Sequence, residues 1–292
     1  MTNQTLRSRN FPPSPALEPY VARHYVLSAN AGENIELLDR LLGETPFVRL
    51  LLRGDWGAET VPGEWTNRGR TLLFGPNSRT MPVRVRGGFR VVGIALRASA
   101  WRALSDVPAD RLTDRMEPLA DLWGARADAL MRDIQAISRD DEQGDAEAFE
   151  VLERHVAALI GERGNIEPDP ALQRFETIAR IESSALVRDI ASELGLSQRN
   201  FERKCRASFG LSPKAVLRRS RFLDMASAIR GLSNPDDQAL AALRYYDQPQ
   251  LIREFRHFCG MTPKQFSNTP TPLLDAGLEL RESRKRREGA SR

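Results

Sequence analysis

One feature constrains this chain more than any other: a segment that occurs twice. Ser197–Val216 (SQRNFERKCRASFGLSPKAV) aligns with Asp247–Phe266 (DQPQLIREFRHFCGMTPKQF) at a constant offset of 50 residues. Gln198/Gln248, Arg203/Arg253, Arg206/Arg256, Gly210/Gly260, Pro213/Pro263 and Lys214/Lys264 are identical pairs. Ser197/Asp247, Phe201/Leu251, Leu211/Met261 and Ser212/Thr262 are chemically equivalent. Two copies at this period make a duplicated supersecondary unit rather than a solenoid.

Each copy has the same physical plan. Ser197 and Asp247 are N-caps that open a helix of about three turns, and Asp247-x-x-Gln250 fits the wider capping-box pattern. Gly210 and Gly260 suit a left-handed helix end. Ser212-Pro213 and Thr262-Pro263 each place a cap before a proline at the first helical position. Phe201 with Cys205, and Leu251 with Phe255, are i,i+4 pairs facing a core. The residues around them are polar and mostly basic. Upstream of the first copy, Val187–Gly195 (VRDIASELG) reads as a short amphipathic helix. Helix, glycine turn and capped basic helix form the helix-turn-helix pattern. In that pattern the second helix offers its N-terminal residues to base edges, and nearby cations neutralise phosphates.

The stretch Ala171–Phe266 resembles the DNA-binding domain of AraC-type (AraC/XylS) transcriptional regulators. The motifs that carry the resemblance are IASELGLSQRNFERKCRASFGLSPKAVLRRSRFLDMASAIR and YYDQPQLIREFRHFCGMTPKQF. The resemblance implies two helix-turn-helix units joined by a long helix, about Pro213–Ile229. It implies recognition helices at Gln198–Ser208 and Gln248–Phe258 that enter successive major-groove segments of one DNA face. It places base-contact positions on Arg199, Glu202 and Arg203 in the first unit, and on Gln248, Pro249, Gln250 and Arg253 in the second. Arg203 and Arg253 suit guanine, Gln250 adenine, and Glu202 the cytosine amino group. Two positions depart from the family pattern. Arg244 stands where a turn glycine is usual, and Gln250 where a histidine is common.

Charge agrees with an anionic partner for this half. Residues 1–169 hold 21 Arg and no Lys against 25 Asp and Glu, net −4, whereas residues 170–292 hold 22 Lys and Arg against 14, net +8. A basic module on a mildly acidic one is the usual footprint of nucleic-acid binding. The two cysteines, Cys205 and Cys259, preclude a disulfide framework and suit a reducing cytoplasm. Their helical spacing places both in the core. The three histidines, His24, His155 and His257, show no zinc spacing. No run of 18 apolar residues occurs, and MTNQTLRSRNFPPSP lacks the apolar stretch of a signal peptide, so neither a membrane span nor secretion is expected.

The first part reads as a small antiparallel sheet or barrel followed by helices. Phe47–Arg53, Thr71–Phe74, Val83–Arg86 and Phe89–Leu96 read as strands. Turn signals bound them at Arg53-Gly54-Asp55, Val61-Pro62-Gly63, Gly75-Pro76-Asn77 and the two-residue hairpin Gly87-Gly88. Ala98–Leu104, Leu119–Ile137 and Ala146–Ile160 have helical periodicity. Pro15-x-Leu17-x-Pro19-Tyr20-Val21, Leu73-Phe74-Gly75-Pro76, Gly93-Ile94-Ala95-Leu96 and Leu112-Thr113-Asp114-Arg115 resemble the β-rich domain attached to a subgroup of the same regulators. The four tryptophans, Trp56, Trp65, Trp101 and Trp123, all lie here, either in the core or around a pocket. Arg86 and Arg90, i and i+4 across the glycine turn, are candidate effector ligands for a phosphate-bearing signal, with an ordinary charged hairpin as the alternative.

The expected fold class is α+β. A β-rich sensing or oligomerisation domain with trailing helices spans 1–161, a linker 162–170, an all-α double helix-turn-helix 171–270, and a basic, disordered tail 271–292. The expected function is a cytoplasmic, sequence-specific transcription regulator, an activator by expectation, controlled through its N-terminal domain. No catalytic motif, cofactor or metal is expected. The partners expected are double-stranded promoter DNA, with RNA polymerase and a small-molecule effector as further candidates, for a monomer or a homodimer. The rival reading is a protein tethered to DNA without sequence preference, whose N-terminal domain carries an unrecognised enzymatic or binding activity.

Overall fold

A computed structural model of the chain describes residues 6–30, 36–137, 139, 141–236, 238–239 and 247–290. Arg244 and the tyrosines before Asp247 lie outside these described residues.

The N-terminal half is built on one antiparallel sheet. Its strands are β1 (Arg7–Phe11), β2 (Val21–Ala29), β3 (Glu36–Leu41), β4 (Phe47–Val61), β5 (Glu64–Thr66), β6 (Thr71–Phe74), β7 (Met81–Leu96) and β8 (Met116–Pro118). The order is β1-β2-β7-β4-β6-β8, with β3 also on β7 and β5 also on β4. Alternation along β4 builds two layers. Val48 and Leu50 pack under the helices, whereas Phe47 and Leu51 pack on the opposite face.

Two expected turns are instead interruptions within long strands. Gly87-Gly88 lies inside the 16-residue β7, and Gly54 inside the 15-residue β4. The two sites face each other, and the β4–β7 register shifts between Arg53 and Asp55. Gly54 has φ +93°, and a Cβ there would lie 2.8 Å from Phe89 Cβ. Extra residues in one register bend a strand pair without ending it. Local glycine signals therefore read as turns, while the ladder on both sides keeps each strand continuous. The first half of β7 pairs with β3 and the second half with β2.

After a 3-10 turn at Ala98–Ala100 come α1 (Trp101–Leu104), α2 (Ala120–Trp123), α3 (Ala125–Gln135) and α4 (Glu142–Glu162). Gly124, at φ +57°, separates α2 from α3. Asp141 caps α4 by accepting from the Gly144 amide. Three tryptophans are buried. Trp101 and Trp123 donate to the Val107 and Leu104 carbonyls, and Trp56 packs edge-on to Phe89. Trp65 is partly exposed under the Arg84 guanidinium.

The C-terminal half is helical: α5 (Pro170–Ile181), α6 (Val187–Glu193), α7 (Gln198–Phe209), α8 (Pro213–Ile229), α9 (Gln248–Cys259), α10 (Pro263–Asn268) and α11 (Pro272–Ala290). The last of these corrects the expectation of a disordered tail. Its charged sequence lacks a clear apolar face when read alone. Yet Leu273, Leu274 and Leu278 are buried against the sheet and α8. Burial against surfaces formed elsewhere supplies what the segment's own composition does not. Asp39 of β3 accepts from the Leu273 amide and so caps this helix from another element.

Two outcomes follow for α11. Leu278→Ala should lower stability by about 2–5 kcal/mol in urea unfolding, the range for a buried leucine; a disordered tail would give no change. Asp39 is buried, and that burial, only partly offset by the Leu273 and Arg40 amides, raises its pKa to about 6. The folded state therefore holds a proton that the unfolded state has lost, so stability falls as pH rises from about 4 to about 6. Unfolding curves of Asp39→Asn should lack that slope.

Candidate nucleic-acid interface

The duplicated units fold as the repeat prescribes. The Ser197 hydroxyl accepts from the Asn200 amide to open α7, and Gly210 ends it at φ +74°. The Ser212 hydroxyl accepts from the Ala215 amide at the start of α8. In the second unit Gly260 ends α9 at φ +71°. The capping box is found at Thr262 and Gln265, which exchange bonds of 2.9 and 3.2 Å. Asp247 makes no side-chain cap, so the box expected at Asp247/Gln250 is not formed; its carboxylate lies 3.7 Å from Arg253 instead. The proline at the second position of α9 leaves one amide fewer to cap.

Each unit has its own aromatic core. Phe175 packs edge-on against Phe201 and Phe209 in the first, with Cys205 and the first turns of α8. Phe222, from the later turns of α8, packs against Phe255 and Phe258 in the second, with Cys259 and Phe266. One rigid helix thus carries both cores.

All seven expected contact residues are exposed: Arg199, Glu202 and Arg203 on α7, and Gln248, Pro249, Gln250 and Arg253 on α9. Arg203 donates to the Asn200 side chain at 2.8 Å, and Arg206 pairs with Glu202 at 3.0 Å. Both are exposed interactions of small net strength, open to exchange for a phosphate or base.

The basic excess of the C-terminal half divides by helix. The arginines of α8 are engaged internally. Arg218 chelates Glu254 of α9, Arg219 donates to backbone carbonyls and Arg221 to the Ser183 carbonyl, while Arg230, just past the end of α8, donates to Asp275. Those of α7 and α9 (Arg199, Arg203, Arg206, Arg253 and Arg256) point to solvent, as do Lys214 and Lys264. Lys204 is the exception on α7, pairing with Asp169 at the start of α5.

The N-terminal half grips the far ends of both helices. Thr113 donates its hydroxyl to the Gly210 carbonyl at 2.9 Å. The Thr80 amide donates to the Phe258 carbonyl at 2.6 Å. Gly210 is closely packed here, since a Cβ would come within 2.5 Å of Pro76. Arg219, absent from the candidates drawn from the sequence, donates from α8 to the carbonyls of Asn77 (2.6 Å) and Glu44 (2.7 Å). Its only sequence signal was an arginine placed where the helix pattern asks for an apolar residue.

Arg86 and Arg90 are not brought together as an effector clamp. Arg86 pairs with Glu36 at 2.9 Å, and Arg90 is buried against Asp145 of α4 at 2.6 Å. Continuous β7, in place of a hairpin, separates their surroundings. Among the described residues no cluster of three or more His, Cys, Asp or Glu could hold a metal ion, and no helix is long and apolar enough to cross a membrane.

Cys205 and Cys259 are buried, and burial raises both thiol pKa values. Neither should react with a thiol reagent in the native state at pH 8, and both should react after denaturation. Rapid native labelling would instead indicate a reactive, redox-sensing thiol.

Residues 190–269 match the sequence family described as a helix-turn-helix domain, and residues 9–118 match a domain of unknown function (DUF6597). No curated protein matches the chain. Among solved structures, ToxT from Vibrio cholerae is 10% identical, covering 91% of this chain and 98% of its own, with a TM-score of 0.46. Wild-type ToxT from the same organism bound to an unsaturated fatty acid is 11% identical, covering 94% and 99%, with a TM-score of 0.43. The AraC-like transcriptional activator CuxR is 12% identical, covering 75% and 85%, with a TM-score of 0.30. With its duplicated, separately cored units, the C-terminal half contains a helix-turn-helix domain, and the match over residues 190–269 spans both units.

Proposed function

We propose that this chain regulates transcription by binding one promoter sequence with both units at once. The carrying observation is the pairing of exposed N-terminal halves of α7 and α9 with a single rigid α8 beneath them. Helices fixed in this way enter successive major-groove segments on one face of the duplex. Arg203 and Arg253, related by the repeat, read guanine, while Arg199, Glu202, Gln248, Pro249 and Gln250 complete the two readers. Joint engagement turns two weak contacts into one strong one, because the second binds at high effective concentration.

Control runs through the N-terminal half. Its loops hold the C-terminal ends of both helices at Gly210 and Phe258, which leaves the reading ends free. A ligand or partner that favours one arrangement of these contacts would shift the population competent for joint binding.

Fluorescence anisotropy on short duplexes tiled across the DNA flanking the chain's own gene, at two salt concentrations, tests the reading. One tile should bind roughly a thousandfold more tightly than the rest. Arg203→Ala and Arg253→Ala should each cost about 1–3 kcal/mol on that tile alone. Equal binding to all tiles, with a steep salt slope and no effect of either substitution, would leave only a non-specific tether.

A further inference from the structure

The face of the sheet opposite α1–α4 is roofed by α11, and between them lies a cavity of about 110 Å³. That is several times the roughly 10–15 Å³ that one water molecule requires. Most of its wall is apolar, from Leu41 and Phe47 on the sheet to Leu274 and Leu278 on the helix. Four arginines also line it, Arg23, Arg49, Arg281 and Arg284, against one carboxylate, Glu44.

That carboxylate is already taken. Arg281 bonds both Glu44 and Asp224. Burial alone would raise the Glu44 pKa, yet Arg281, Arg219, Arg180 and Arg284 together pull it down to about 2. Among the described residues the other three arginines have no ion-pair partner. Arg49 is 3% exposed, stacked 4.4 Å from the Trp56 ring centre, and its Nη1 has no hydrogen-bond acceptor. Arg23 Nε is likewise buried without an acceptor. Arg284 feels Glu44 and Glu176 only at a distance, because Arg281 holds the first and the second accepts from the Ser99 amide at 2.8 Å. Burial lowers the Arg284 pKa to about 9, and the charges of Arg180 and Arg23 push it the same way.

Partly desolvated guanidinium groups lining one cavity, with a single carboxylate that is already paired, are costly, and a bound anion lowers the cost. Arg23 and Arg284 also line an outer groove of about 480 Å³. They therefore stand at the neck between groove and cavity, on a route from solvent.

We propose that this cavity binds a small organic acid, its carboxylate held at the neck by Arg23 and Arg284 and its apolar body between Phe47 and the leucines of α11. Two guanidiniums suit a carboxylate by paired, charge-assisted hydrogen bonds. The leucine-rich wall beyond them selects a ligand with an apolar body over a free inorganic oxyanion. Because α11 and α8 both border the cavity through Leu278 and Leu223, an occupant joins the sheet to the helix that carries the two DNA-reading units. The proposal extends the control ascribed above to the N-terminal half, but its test reads ligand binding alone.

The test is isothermal titration and thermal unfolding of the full chain with three probes: phenylacetate, its neutral isostere phenylacetamide, and inorganic phosphate. Phenylacetate should bind and raise Tm, with phenylacetamide at least about tenfold weaker. Arg284→Gln and Arg23→Gln should each weaken phenylacetate at least about tenfold. Arg284→Gln without ligand should unfold no earlier than the parent, since it removes a repulsion. Arg286→Gln, exposed on the same helix, should leave binding unchanged. No binding of phenylacetate at millimolar concentration, equal binding of the amide, indifference to both arginine substitutions, or binding of phosphate in its place would each overturn the proposal. DNA anisotropy on the same preparations separates this outcome from the DNA-binding reading, which stands or falls on α7 and α9.

Discussion

The structure depends on how Arg219 is held. It sits midway along α8 with 1% of its surface exposed, and donates to the carbonyls of Asn77 and Glu44 from the loops that follow β6 and β3. Its Nη donors are paired while its Nε is not; a buried cation is tolerated when such bonds and a nearby counter-charge offset the loss of water. Burial lowers its pKa, and the charge of Glu44 opposes that. The arrangement fixes the axis of α8 on the sheet. Both helix-turn-helix cores grow from that one helix, so their placement relative to the N-terminal half follows from it.

Around this anchor the arginines fall into distinct physical classes. Those of α8 serve as internal ties, as in the chelate of Arg218 with Glu254. Those at the start of α7 and α9 are solvated and weakly paired. Those facing the cavity beneath α11 are desolvated with too little negative charge nearby. A uniform basic excess would say only that an anion is attracted. The division says where a polyanion could lie and where a small anion could be enclosed.

Much of the C-terminal half was legible in the sequence because its signals are local. Caps, left-handed glycines and i,i+4 apolar pairs set α7 and α8 at the expected positions, with helix ends within about one residue, inside the usual uncertainty of helix boundaries. Pairing in a sheet is not local. Gly54 and Gly87-Gly88 have the chemistry of turns, yet each lies within a strand whose neighbours hold it in register on both sides. The candidate pair Arg86 and Arg90 failed for the same reason, since its geometry presumed a hairpin. The expected disordered tail failed because Leu273, Leu274 and Leu278 find their apolar surface on β3, β4 and α8 rather than on their own helix.

Local sequence signals suffice to place two capped helical units in the C-terminal half, and to show which of their residues remain polar around an aromatic core. Those properties arise from backbone and side-chain preferences within a few residues of one another. Long-range packing is what closes α11 over the sheet and lets Arg219 fasten α8 to the loops beside it. The same packing brings Arg23, Arg49 and Arg284 from three distant segments to one cavity. Contacts between residues more than 200 positions apart, such as Asp39 with Leu273, leave no periodic trace in the chain. They arise because buried polar groups must find partners and apolar faces must be covered, wherever along the chain the complement happens to lie.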